Sequence, residues 1–108
     1  MRRVYLFCNA GMSTSLLASK MQKVATDHKL PVEVKAFPDS QMDNIIAQYD
    51  PDVILLGPQV KHLYDKVVNR YGHLGKPIQV IDSTDYGAMN GERVLKVALK
   101  LLKEKEAK

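Results

Sequence analysis

Hydrophobic positions along the chain alternate between short continuous runs and longer segments with helical spacing. Proline residues border the second, third and fourth runs, as expected for residues that interrupt regular structure. Apolar residues between and after the runs recur at i, i+3, i+4 and i+7, the spacing of an amphipathic helix. The strand-like runs are Val4–Cys8, Val32–Phe37, Val53–Leu56 and Ile78–Ile81. The helical segments carry Leu16, Leu17, Met21 and Val24; Met42, Ile45, Ile46 and Tyr49; Val60, Leu63, Tyr64, Val67, Val68 and Tyr71; and Val94, Leu95, Ala98, Leu101 and Leu102.

This alternation predicts a single α/β domain over residues 1–108, with helices on both faces of a four-stranded parallel sheet. Val4–Cys8 and Val53–Leu56 are apolar throughout, which is typical of central strands, whereas polar residues interrupt the other two runs. The predicted strand order is therefore 2-1-3-4. In that order the crossover direction reverses between strands 1 and 3. Open α/β sheets bind ligands at the carboxyl ends of the strands at such a point.

Cys8, the only cysteine of the chain, ends the first predicted strand at this point. Small and hydroxyl residues, Asn9–Ser15, separate it from the helical pattern that begins at Leu16. A loop that leads into a helix N-terminus directs several backbone N–H groups at one point, and the helix dipole adds positive charge there. Such a setting stabilises a thiolate and binds a phosphoryl group. Cys8 is therefore predicted to be a nucleophile that carries phosphate, on a phosphatase-like phosphate loop after strand 1.

Two simpler interpretations stand beside this one. A lone cysteine at the end of a strand is usually an inert apolar residue. Hydroxyl residues such as Ser13, Thr14 and Ser15 also favour the start of any helix, where they act as caps.

The loop lacks a residue that cysteine phosphatases need. Those enzymes use Cys-x5-Arg followed by Ser or Thr, and the arginine stabilises the transition state for hydrolysis. Counted from Cys8, the arginine position is Thr14, and Ser15 follows it. A site without the arginine should hold phosphate on sulfur long enough to pass it on. This pattern predicts a carrier rather than a hydrolase.

Three segments resemble the enzyme IIB component of sugar phosphotransferase systems, in the lactose/cellobiose (N,N′-diacetylchitobiose) family. They are residues 6–17, residues 55–59, and residues 80–83 with Tyr86-Gly87, and the similarity extends over nearly the whole chain. The resemblance implies a phosphotransferase component. Its cysteine accepts a phosphoryl group from a phosphohistidine of enzyme IIA. It then donates the group to a sugar held by membrane-embedded enzyme IIC, a β-linked disaccharide such as cellobiose, diacetylchitobiose or lactose.

The resemblance also implies roles for individual residues. Cys8 is the phosphorylated nucleophile, and Gly11 allows the backbone a close approach to the phosphate. Hydroxyl groups of Ser13, Thr14 and Ser15 are candidate extra donors. Apart from the resemblance, Gln59 is a weaker candidate that would contact the phosphate or the partner, or equally well cap the third helix. The backbone amides expected to bind phosphate are those of Asn9, Ala10, Gly11, Met12, Ser13, Thr14 and Ser15.

Composition narrows the class of protein and its cellular compartment further. The net charge of +4 comes largely from lysines near the C-terminus, without a basic stripe interleaved with aromatic residues, so nucleic-acid binding is not expected. No apolar run reaches membrane-spanning length, and the first residues lack a signal-peptide pattern. A single cysteine cannot form an internal disulfide, which fits a reducing compartment. We expect a cytoplasmic protein, a monomer, without a cofactor and without direct membrane insertion.

Other candidate residues carry less information. His28, His62 and His73 show no metal-ligand spacing, so no metal site is predicted. Asp82 and Asp85 follow the fourth strand and would suit the general acid of a phosphatase, but they are interpreted as turn and cap residues. Two alternative functions stay open, a cysteine-dependent phosphatase and a non-catalytic domain that senses its own phosphorylation.

Overall fold

A central parallel sheet organises the protein. The computed structural model describes residues 1–9 and 11–106, with the side chains of Met12 and Glu106 left outside that description. Within those ranges the sheet has four parallel strands in the order β2-β1-β3-β4, which confirms the predicted order. The strands are β1 (Arg2–Cys8), β2 (Val32–Pro38), β3 (Val53–Leu56) and β4 (Ile78–Val80).

The helices lie between and after the strands. They are α1 (Gly11–Asp27), α2 (Met42–Tyr49), α3 (Tyr64–Tyr71), α4 (Ser83–Gly87) and α5 (Gly91–Glu106). Short 3-10 segments span Asp39–Gln41, Pro58–Leu63 and Gly72–Leu74. In the described part of the chain, no helix has the length and apolar character needed to cross a membrane.

Helices cover both faces of the sheet, as predicted. Successive strand residues point to opposite faces. Val4 and Leu6 of β1 therefore pack in a core with α1 and α5, and Tyr5 and Phe7 pack in a second core with α2 and α3. All four of these residues are fully buried, so β1 is the centre of both cores.

The first helix begins earlier than its apolar pattern suggested. It starts at Gly11 rather than near Leu16, and Leu16 itself is 51% exposed. The buried stripe instead follows Thr14, Leu17, Ala18, Met21 and Ala25. Thr14 and the two alanines carry little hydrophobic signal, so the sequence pattern concealed both the start of the helix and the orientation of its buried face.

The third predicted helix is divided. Residues Pro58–Leu63 form 3-10 turns, and regular α-helix begins only at Tyr64. Val60 departs from helical geometry, with φ −117° and ψ 25°, while its side chain is buried in the core with α2 and α3. Burial of Val60 thus shapes the turn that follows β3.

Helices α1 and α5 approach each other closely at Gly91. A Cβ atom placed on Gly91 would lie 2.9 Å from the carbonyl carbon of Lys20 and 2.9 Å from the amide nitrogen of Met21. Both atoms belong to the backbone of α1, so they cannot rotate away as a side chain could. The packing of α5 on α1 therefore requires glycine at this position.

Replacement of Gly91 by alanine should consequently destabilise the protein. We expect Gly91→Ala to lower the free energy of unfolding by about 1–3 kcal/mol, the usual cost of forcing extra volume into a packed contact. Urea denaturation followed by circular dichroism measures this. Gly87→Ala is the matched control, because a Cβ there has no neighbour within 4 Å. Equal stability of the two variants would contradict the packing argument.

Tyr5 supplies a pH-dependent contribution to stability. Its buried hydroxyl donates a hydrogen bond to Oε2 of Glu33 at 2.8 Å. Burial, followed by this hydrogen bond and the negative charge of Glu33, raises the pKa of Tyr5 to about 12. An unfolded tyrosine titrates near pH ~10. The neutral phenol therefore stabilises the fold fully below that pH, and its contribution is lost as the pH rises from about 10 toward 12.

The corresponding measurement is a titration of tyrosine absorbance at high pH. The difference between the wild-type protein and Tyr5→Phe should contain one ionisation near pH 12 while the protein stays folded. A difference curve centred near pH ~10 would show that Tyr5 is not held in its neutral form.

Candidate functional site

Cys8 lies at the end of β1, at the point where the crossover direction reverses between β1 and β3. Strand alternation places its side chain on the same face as Val4 and Leu6, beneath α1. The thiol is free of any disulfide, and the residue is 1% exposed. The predicted position of Cys8 is therefore confirmed, although the thiol is covered rather than open to solvent.

The end of β3 lies directly beside Cys8. The amide of Gly57 donates a hydrogen bond to the carbonyl of Phe7 at 2.9 Å, which continues the pairing of β1 and β3 past Leu56. A Cβ atom on Gly57 would lie 2.8 Å from Sγ of Cys8. Glycine at this position thus creates the space that the thiol occupies. The sequence placed Gly57-Pro58-Gln59 after strand 3 at the predicted switch point, but it predicted no role for Gly57 itself.

Gln59 contacts the thiol. Its Oε1 lies 3.2 Å from Sγ of Cys8, within the distance for a hydrogen bond donated by the thiol. Oδ1 of Asn9 lies 3.9 Å from the same sulfur. The alternative role of Gln59 as a helix cap is wrong, because the turn that begins at Pro58 has Gly57 at its N-cap and no side-chain capping bond. Gln59 instead directs its amide toward the sulfur.

The segment expected to cradle phosphate is mostly helical. Gly11 is the first residue of α1, so the expected loop Asn9–Ser15 is shorter than predicted. Ala10, one of the expected phosphate-binding residues, lies outside the described residues, as does the side chain of Met12. The amides of Gly11, Met12 and Ser13 open α1 and have no i−4 carbonyl partner within the helix, whereas amides from Ser15 onward bond back into it. The donors that α1 offers are therefore those of its first turn.

The three hydroxyl residues differ in what they can contact. All lie inside α1, so their interpretation as caps before the helix is wrong. Ser13 and Ser15 are exposed, but Thr14 is 1% exposed, and its Oγ1 lies 3.0 Å from Oη of Tyr86 in α4. The residue at the arginine position of a phosphatase thus faces the protein interior.

The remaining candidates have structural partners. Asp82 caps α4, since its Oδ1 accepts hydrogen bonds from the amides of Thr84 and Asp85 at 2.9 and 3.1 Å. Oδ2 of Asp85 lies 3.3 Å from Nε of Arg93. The interpretation of Asp82 as a cap residue is thereby confirmed. Asp85 lies in the first turn of α4 and forms an ion pair with Arg93. Among the described residues, no three His, Cys, Asp or Glu side chains are grouped so as to hold a metal ion.

Comparison with known proteins gives consistent results. The family described as the lactose/cellobiose-specific IIB subunit of the PTS system matches residues 3–97. A cellobiose-specific EIIB component of Lactococcus lactis subsp. lactis (strain IL1403) is 44% identical over 102 residues, covering 92% of this chain and 94% of that protein. A galactose-specific EIIB component of Lactococcus lactis subsp. cremoris (strain MG1363) is 43% identical with the same coverage of both chains, 92% and 94%.

A solved structure supports the same conclusion. The cellobiose-specific phosphotransferase IIB component of Borrelia burgdorferi superposes with a TM-score of 0.78 and 32% identity, covering 96% of this chain and 94% of that one. Family, relatives and fold therefore agree over most of the sequence. The chain belongs to the lactose/cellobiose-specific IIB subunits of the sugar phosphotransferase system and is a phosphotransferase component.

Proposed function

We propose that this IIB subunit is a phosphocarrier in which Cys8 receives a phosphoryl group from a phosphohistidine of enzyme IIA and passes it to a sugar held by enzyme IIC. One observation carries the proposal. A thiol that forms no disulfide ends the central strand at the topological switch point, and α1 begins just after it. The first-turn amides of α1 and its dipole favour a negatively charged group at that place.

The proposed reaction has two in-line displacements. In the first, the Cys8 thiol loses its proton and sulfur attacks phosphorus. The S–P bond forms as the N–P bond to the histidine breaks, and the imidazole nitrogen keeps the electron pair and takes up a proton. In the second, a sugar hydroxyl loses its proton and attacks phosphorus, and sulfur recovers its electron pair as the S–P bond breaks. Preorganised amides contribute mainly by positioning and by stabilising charge on the phosphoryl oxygens.

Thr14 favours a carrier over a phosphatase. A cysteine phosphatase accelerates hydrolysis with an arginine at this position, which holds the phosphoryl oxygens through two parallel hydrogen bonds. Here the side chain at that position is buried and its hydroxyl is engaged with Tyr86. A phosphoryl group on Cys8 would therefore meet backbone donors but no guanidinium from this position, and attack by water would lack that source of stabilisation.

The names of the relatives support a proposal for the class of sugar. One of the relatives is named for cellobiose, a β-linked disaccharide, and the other for galactose. We propose a β-linked disaccharide such as cellobiose, diacetylchitobiose or lactose, selected by enzyme IIC, since that subunit would hold the sugar. The chain would work as a monomer in the cytoplasm, where a free thiol stays reduced.

The proposal predicts that Cys8→Ser abolishes phosphorylation. Incubation with phosphorylated enzyme IIA should give the wild-type protein a sulfur-linked phosphate in phosphorus NMR, while the serine variant takes up none. Serine preserves the shape of the side chain but is a much weaker nucleophile without an activating base. An unfolding curve shows that the variant is folded. A folded Cys8→Ser protein that still accepts phosphate would refute the carrier role of Cys8.

A second experiment distinguishes phosphoryl transfer to a sugar from a role in sensing phosphorylation. In a system completed with enzyme IIC and a β-linked disaccharide, the wild-type protein should yield sugar phosphate. Phosphorylation of Cys8 without sugar phosphate, across the candidate disaccharides, would instead favour a domain that only reports its phosphorylation state. Steady hydrolysis of phosphocysteine by water would favour the phosphatase alternative.

The partner of Thr14 gives a further prediction. Thr14→Val removes the hydroxyl that pairs with Tyr86, leaving a buried phenol without that bond, so the free energy of unfolding should fall by about 1–3 kcal/mol. Phosphate acceptance should nevertheless be retained, because the Thr14 hydroxyl faces α4. Tyr86→Phe is the matched variant. The double variant should lose less free energy of unfolding than the sum of the losses of the two single variants. Loss of acceptance in folded Thr14→Val would show that this hydroxyl binds the phosphate after all.

A further inference from the structure

The side chain of Gln59 contacts the nucleophile from the segment that follows β3. Its Oε1 is 3.2 Å from Sγ of Cys8, and Gln59 itself is exposed although Cys8 is buried. The amide group therefore lies between the sulfur and solvent on the β3 side. A group that reaches the sulfur from that side must displace this amide or interact with it.

The backbone around Gln59 is held in place. Gly57 is hydrogen-bonded to Phe7 and packs against the thiol, and Val60 is buried in the core. Gln59 lies between these two anchored residues. Its side chain can change orientation while its backbone stays fixed, so the amide remains near the sulfur in either orientation.

We propose that Gln59 is a catalytic residue whose amide covers the Cys8 thiol at rest and then donates a hydrogen bond to the transferring phosphoryl group. This inference rests on the proposed function. A glutamine amide carries an acceptor oxygen and a donor nitrogen at the same end of the side chain. Rotation about its last bond exchanges the two at little cost, because that torsion is broad and roughly two-fold.

The charge on the sulfur determines which orientation is favoured. A neutral thiol donates its proton to Oε1, which is the arrangement in this structure. A thiolate or a phosphoryl oxygen carries negative charge and repels Oε1, but it accepts a hydrogen bond from Nε2. Hydrogen bonds to an ionised acceptor are about twice as strong as neutral ones. The amide would thus turn when the sulfur loses its proton and would complement the amides of α1.

Two variants and a control test this inference in the intact chain, with phosphorylated enzyme IIA as donor. Gln59→Ala removes both the cover and the donor. Acceptance of phosphate should slow by roughly 10- to 100-fold, the effect of losing one hydrogen bond to a charged group, and alkylation of Cys8 by iodoacetamide should become faster. Gln48→Ala is the control, since Gln48 is an exposed glutamine on α2. It should leave both rates unchanged.

Gln59→Glu provides a readout that a purely structural role would not produce. An ionised glutamate accepts hydrogen bonds but cannot donate one, and it repels the phosphoryl group. Acceptance should therefore be slower than in Gln59→Ala near neutral pH. The acceptance rate of Gln59→Glu should rise relative to that of Gln59→Ala as the pH falls, because a protonated carboxyl can donate a hydrogen bond.

The outcomes separate this inference from the proposed function. If the wild-type protein is phosphorylated on Cys8 but Gln59→Ala and Gln59→Glu accept phosphate at the wild-type rate, the role of Gln59 is refuted and the carrier stands. If Gln59→Ala slows acceptance but Gln59→Glu shows no relative recovery at lower pH, Gln59 acts as packing and the donor role is refuted. If Cys8→Ser still accepts phosphate, the carrier itself fails.

Discussion

Pairing of β1 on both edges is the constraint on which the rest of the structure depends. β1 lies between β2 and β3, and helices cover both of its faces. Its residues from Val4 to Phe7 are fully buried, so the strand cannot shift along its axis without moving apolar side chains in both cores. The end of β1 is thereby fixed in space. Because Cys8 is the last residue of β1, its position is fixed as well, and the geometry of the site follows from that position.

The site is built where two segments distant in sequence meet at this strand end. The bond between the carbonyl of Phe7 and the amide of Gly57 places the end of β3 against the thiol. The start of α1 follows Cys8 and offers backbone donors with a positive dipole. Gln59 contacts the thiol and offers a group that can accept or donate. The backbone donors of α1 have a fixed orientation, whereas the side-chain amide of Gln59 can rotate.

Much of this architecture could be predicted from the sequence. Continuous apolar runs identified the central strands, because a strand buried on two faces tolerates few polar residues. The position of Cys8 at the switch point followed from the strand order. The start of α1 could not be predicted in the same way, since Thr14 is buried through a hydrogen bond rather than through hydrophobicity.

Contacts between distant segments were the harder part of the prediction. Nothing local to Gln59 indicates that it reaches Cys8, because the contact depends on how β1 and β3 are aligned and on the non-helical geometry of Val60. The Gly-Pro pair at Gly57 marks a turn after a buried strand, but it does not show that Gly57 leaves room for a sulfur atom from another strand. Such features depend on strand register, and a sequence pattern sets register only when the pairing is known.

The bond between Thr14 and Tyr86 connects stability to chemistry. It ties the first turn of α1 to α4, and Asp82, just after β4, caps that helix. The amides that would bind phosphate are thus held by the same contact that directs residue 14 into the protein. An arginine at this position would have to give up that contact in order to reach the phosphate, and the start of α1 would lose its anchor. A carrier needs a firmly positioned cradle and slow hydrolysis, and this one buried hydrogen bond supports both.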